Sequence, residues 1–207
     1  MTTHRDKALD AFLGLIAEKG YAAVTLRDAG EAAGLGLAEL FRHFPDKVAL
    51  VGAVMARTDA EVLAGVSRQR DPDETARDRL FDVMMRRYDA LKPHRVALTA
   101  VRRAAVRDPL LALALAPNVR LSMAAMLEAA GLSSDGVAGA MRQSGLLAIH
   151  YAVLRVFARD DTADLSKTMA ALDSRLKAAE KWAQVFEKYT LFWDVPNRPK
   201  DSRPTAQ

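Results

Sequence analysis

The sequence predicts an all-α fold of about nine helices, on three observations. Half of the 207 residues are hydrophobic but only 6% are aromatic, and Ala, Leu and Arg abound, a mixture that favours helix. Apolar side chains recur at i, i+3, i+4 and i+7, with no strand-like alternation. Prolines stand at Asp71-Pro72, Lys92-Pro93 and Asp108-Pro109, each near a helix start, where the missing N–H does no harm.

Leu9, Phe12, Leu13 and Ile16 define a first amphipathic helix that Gly20 can close as a left-handed cap. Thr25-Leu26-Arg27-Asp28 has the Thr-x-x-acid form of a capping box, so a second helix begins there and ends near Gly34. Leu37, Leu40, Phe41 and Phe44 share one helical stripe, which defines a third short helix ended by Pro45 with Ala38, Glu39, Arg42 and His43 outward. A fourth helix starts at Asp46 and turns Leu50, Val51, Val54, Met55 and Val62 inward, as far as the polar break SRQRDPDE. Each later proline opens another helix. Pro117, after LLALALA, is expected to split or kink that segment before a further helix ending at Gly131. Two long helices follow, roughly Asp135 to Ala158 and Ala163 to Trp193, joined by the acidic turn RDDTAD. PNRPKDSRPTAQ, after Val195, is expected to be disordered.

Several classes of function are disfavoured by what the chain lacks. There is no cysteine, hence no disulfide, thiolate zinc site or Cys nucleophile, and the start MTTHRDKALD lacks the apolar core of a signal peptide; both predict a cytoplasmic protein. No segment is expected to span a bilayer; the apolar run LLAIHYAVL is short and carries a His. His4, His43, His94 and His150 are scattered, and no metalloprotease, serine-hydrolase or phosphate-loop motif is present, so no catalysis, metal or cofactor is expected. Gly34-Leu35-Gly36 joins two helices and is no dinucleotide loop.

The net charge of +4 is unevenly spread: residues 1–60 hold 7 Lys/Arg against 8 Asp/Glu, and residues 61–120 hold 12 against 8. An N-terminal region without basic excess counts against strong non-specific binding of DNA.

The first fifty residues nevertheless resemble the TetR-type regulators, from the Ala8-Leu9 helix through EKGY, Thr25 to Asp28 and EAAGL to Phe44-Pro45-x-Lys47 and Leu50. The resemblance implies a helix-turn-helix DNA-binding domain in residues 1–50, a helical ligand-binding and dimerisation domain in 51–195, and a tail in 196–207. Carried over by position, Thr25, Arg27 and Lys47 contact phosphates, Arg42 and His43 assist, and Leu37, Ala38, Glu39 and His43 face bases. Gly36 and Phe41, also in the DNA-binding set, stand where the family usually has Ser/Thr and Tyr. Ala29-Gly30 replaces a usual Ile-Ala pair, which is expected to thin the packing between the second and third helices. Partners on this view are operator DNA, a second copy of the chain through the last two long helices, and a small apolar ligand that releases the operator.

His150, inside an apolar helical run, reads as a core histidine bonded to a neighbour or as a polar contact in a ligand cavity. Met84, Tyr88, Met123, Leu127, Met141, Leu147, Tyr151 and Leu154 are the further candidates for such a cavity. Trp182, Phe186, Tyr189 and Trp193 fall within an arc of about 60° on the last helix, which suits a packing seam, a dimer interface or a membrane surface.

The segments LFDVMMRRYDALKPHR, MLEAAGL and FARDDTADLSKTMAALDSRLKAAEKW look like the lipid-binding accessory proteins of ubiquinone biosynthesis, which share the TetR-type fold. That resemblance implies an alternative: a lipid or quinone held in the helical body, peripheral membrane contact through the terminal helix, and vestigial DNA binding.

Overall fold

The computed structural model describes residues 3–66 and 73–186, with side chains as far as Lys181. Among the described residues there are nine α-helices: α1 (His4–Lys19), α2 (Leu26–Ala33), α3 (Leu37–His43), α4 (Lys47–Ala64), α5 (Ala76–Leu91), α6 (Arg95–Arg107), α7 (Pro109–Ala129), α8 (Gly136–Phe157) and α9 (Ser166–Phe186). Short 3₁₀ turns at Tyr21–Ala23 and Lys92–His94 connect α1 to α2 and α5 to α6.

Local chemistry sets most boundaries. Thr3 and Thr25 each form a full capping box, with Asp6 and Asp28, at the starts of α1 and α2. Asp46 caps α4 by accepting from Ala49 N–H at 2.7 Å, and Asp108 caps α7, whose first residue is Pro109. Helix α2 ends at Gly34, as expected, and Gly34 closes it in the left-handed conformation. Gly20 also has positive φ, 80°, but its ψ of 158° turns the chain into an extended exit and not a left-handed cap.

Buried side chains form two clusters. Leu9, Phe12, Leu13 and Ile16 of α1 meet Leu40, Phe44, Leu50, Val51 and Val54, with Ala97 and Val101 of α6 and Leu115 of α7 closing one side. Met84 and Tyr88 of α5, Met123, Met126 and Leu127 of α7, Leu146, Val153 and Phe157 of α8, and Leu172 and Leu176 of α9 build the other. Helix α4 feeds both, since Val62 belongs to the second cluster, and it packs lengthwise on α7. The close approach runs through Gly52: a Cβ there would lie 2.7 Å from the Asn118 side-chain oxygen.

One expectation is corrected at α7. Pro117 does not split the segment, which stays one helix from Pro109 to Ala129. Loss of one backbone hydrogen bond is offset where packing on α4, α5, α6 and α8 holds the helix. By length and composition alone α7 also meets the measure of a bilayer-crossing helix, a measure that a core helix meets as well. It carries Arg120 and buries Met123, Met126 and Leu127 in the second cluster.

Candidate nucleic-acid interface

Helix α3 joins α2 through Gly34, Leu35 and Gly36. Gly30, buried in α2, lets the two helices touch: a Cβ there would lie 3.1 Å from the Leu35 carbonyl oxygen and 3.5 Å from Leu40 Cδ2. The absent side chain thus tightens this junction, where the sequence suggested thinner packing. Leu40 and Phe44 are buried, but Leu37 and Phe41 remain 43% and 58% exposed, which corrects their place on the inward stripe. A seven-residue helix lying on α2 buries only a narrow line of side chains, and one side of its apolar stripe stays outside.

At about 100° per residue, Leu37, Phe41, Ala38 and Arg42 then occupy one outward arc of about 140°. All four are exposed, as are Gly36 at the start of α3 and His43 at its end. Glu39, half-buried, lies beyond the Arg42 end of that arc and is drawn toward α1, with its carboxylate 3.0 Å from Nδ1 of His4. Beside it, the Arg5 guanidinium sits 5.8 Å from the centre of the Phe44 ring. The first turn of α1 therefore clasps α3.

Of the phosphate-contact candidates, Arg27 is exposed near the start of α2. Thr25 accepts a hydrogen bond from Asp28 N–H at 3.1 Å as the cap of that helix. Lys47 is folded inward: its ammonium donates to the Tyr21 carbonyl oxygen at 3.0 Å and lies 4.5 Å from the centre of the Tyr21 ring. Burial lowers its pKa below the ordinary lysine value, with Asp28 pulling the other way. Lys47 thus ties α4 to the 3₁₀ turn.

The missing basic excess of this region also looks different in three dimensions. Asp6, Asp28 and Asp46 are spent on helix caps, Asp10 on Arg57, Glu39 on His4 and Asp59 on Arg87. Arg27 and Arg42 are exposed and have no ion-pair partner among the described residues.

Residues 8–54 match the family model of the bacterial regulatory proteins, tetR family. The head is of the TetR type. Among curated relatives, the chain is 32% identical over 107 residues to the HTH-type transcriptional repressor KstR of Rhodococcus jostii (strain RHA1), covering 52% of this chain and 43% of that protein. It thus spans less than half the length of that relative. The TetR-like fold extends beyond the head: a TetR transcriptional regulator from Nitrosomonas europaea superposes with a TM-score of 0.69 at 22% identity, over 86% of this chain and 98% of that one. A TetR transcriptional regulator from Rhodococcus sp. RHA1 gives 0.59 at 20% identity, over 84% and 95%.

Behind the TetR-type head, the candidate ligand residues divide. Met84, Tyr88, Met123 and Leu127 are fully buried in the second cluster, with Leu147 and Leu154 packed against it. His150 is buried beside them and lies 3.0 Å from the Tyr88 hydroxyl through Nδ1. Burial, and secondarily the Arg87 charge, lowers its pKa to about 3, so the imidazole is neutral. Met141 and Tyr151, 45% and 42% exposed, lie outside this group on the outer side of α8. Trp182 and Phe186 belong to the last turns of α9 but lie beyond the described side chains, and Tyr189 and Trp193 lie outside the described residues.

The sequence reading missed a buried polar knot that joins α4, α5 and α7. Arg87 of α5, 2% exposed, donates from Nε to Asp59 of α4 at 3.2 Å and from Nη2 to Ser122 of α7 at 2.7 Å. Ser122 in turn donates to Asp59. A signal was present: Asp59 lies on the inward stripe of α4, between Met55 and Val62.

Proposed function

We propose that the chain is a DNA-binding transcriptional regulator of the TetR family. The observation that carries this is the α2–turn–α3 unit within the family match at 8–54, which leaves one face of α3 uncovered beside the exposed cations Arg27 and Arg42. In this reading α3 enters the major groove, while Thr25, Arg27, Arg42 and His43 hold the sugar-phosphate backbone.

The active species is a homodimer, which sets two heads on successive turns of a near-palindrome. Its interface uses α8 and α9, and the exposed row Val137, Met141 and Tyr151 on α8, with Met169 on α9, supports that assignment. The effector is a small apolar molecule entering between α5, α7 and α8, where Met84, Met123 and Leu127 surround the Tyr88–His150 pair. The described part of α9 adds nothing to the ubiquinone-accessory alternative, and the relatives named above are all called regulators or repressors, which favours the DNA-binding reading.

Fluorescence anisotropy with duplex DNA from upstream of the protein's own gene tests this. Binding that weakens with salt, and that weakens further in Arg27→Ala and Arg42→Ala, is the expected result. No binding at micromolar protein in low salt overturns the proposal.

A further inference from the structure

The outward arc of α3 has an unusual chemistry for a surface that reads bases. Leu37, Ala38 and Phe41 supply three apolar contacts, and Arg42 is the one hydrogen-bonding side chain among them. The whole helix, LAELFRH, contains no Ser, Thr, Asn or Gln, the uncharged groups that pair with base edges. Glu39, the residue able to accept from cytosine N4, lies about 60° beyond the Arg42 end of the arc, with its carboxylate 3.0 Å from Nδ1 of His4 in α1. Leu37 and Phe41 are meanwhile held in water with more than two-fifths of their surface open, which favours any partner that covers them.

In the major groove, only one base offers an apolar group to such a surface: thymine, through its C5-methyl. Resting on the regulator reading above, we propose that Leu37, Ala38 and Phe41 recognise thymine methyl groups, so that operator choice depends on methyl contacts more than on hydrogen-bond pairing. Arg42, at the polar side of the arc, supplies the charge that keeps the helix seated. His4 is a positioning residue that keeps the Glu39 carboxylate away from the phosphates.

Removing the methyl alone tests this. The full chain is used to select duplexes from a random-sequence pool, and the enriched duplex is remade with deoxyuridine in place of thymidine at each position in turn. Uracil preserves every hydrogen-bonding group and deletes one methyl, so each contacted position is expected to lose about fourfold in affinity. Leu37→Ala and Phe41→Ala change exposed side chains. They are expected to bring the thymine-to-uracil ratio toward one while salt-dependent binding persists. Equal affinity of the parent protein for the thymine and uracil duplexes overturns the inference and leaves the regulator reading intact. A pool from which no sequence is enriched overturns the regulator reading itself.

Discussion

Asp59 illustrates how one residue can hold several elements. Its carboxylate is the counter-charge of the buried Arg87 guanidinium, and both accept or donate through Ser122, so α4, α5 and α7 meet at one polar point. Asp59→Ala would strand a buried cation and is expected to destabilise the protein by about 3–5 kcal/mol, read from urea denaturation. Ser122→Ala, which leaves the ion pair in place, is expected to have a smaller effect of about 1–3 kcal/mol. His4 acts at the surface, where such pairs are weak. His4→Ala is expected to reduce DNA affinity by about two- to fivefold by freeing Glu39, and adding Glu39→Gln should restore it. An unrestored double variant would show that His4 acts in another way. The inward position of Asp59 leaves a trace in the sequence, but the pairings Asp59–Arg87 and His4–Glu39 do not, because 28 and 35 residues separate the partners and helix periodicity carries no information across such distances.

Helices were legible where the signal was local. The Thr25 capping box, the Asp46 cap, Pro109 at the start of α7 and the end of α2 near Gly34 all depend on groups within a few residues of each other. Thr25→Ala is therefore expected to remove about 1 kcal/mol, seen as a lower denaturation midpoint with an unchanged slope. What α3 buries was less legible. Its stripe of Leu37, Leu40, Phe41 and Phe44 fits a buried face, but only the Leu40–Phe44 side is covered, and coverage is a property of neighbours. The acidic turn RDDTAD before α9 was legible, but its backbone geometry was not. Leu165 adopts a positive φ of 55°, a conformation uncommon outside glycine, with its side chain fully buried. Buried Asp160 secures the same turn by accepting from Thr162 and from both the backbone N–H and the hydroxyl of Thr168, the latter two at 2.7 Å.

At the scale of the molecule, two buried groups link folding to acid. His150 is neutral in the fold because burial, and then the neighbouring Arg87 charge, lowers its pKa to about 3 from an ordinary 6.5. The unfolded chain takes up this proton below pH 6.5 while the folded chain does not, so the His150 contribution is complete above pH 6.5 and declines as pH falls toward 3. Half-buried His94, lowered by burial and then by Arg57, acts in the same direction. Asp160 follows at lower pH: burial alone would raise its carboxyl, but the Thr162 and Thr168 hydrogen bonds bring it down to about 2 from 3.8. Its contribution is complete above pH 3.8 and fades toward pH 2. Thermal stability is thus expected to be level above neutrality and to drop through pH 6 and 5, with a free-energy slope approaching about 1.4 kcal/mol per pH unit for each proton taken up. His150→Gln removes the main titrating group while leaving a side chain that can bond to Tyr88, so its melting temperature should vary less between pH 7 and 5. Protonation of His150 would place a second cation near Arg87 at the contact between α8 and α5, which is why the fold resists it. A His150→Gln protein with the parent's full pH slope would place the titrating group elsewhere.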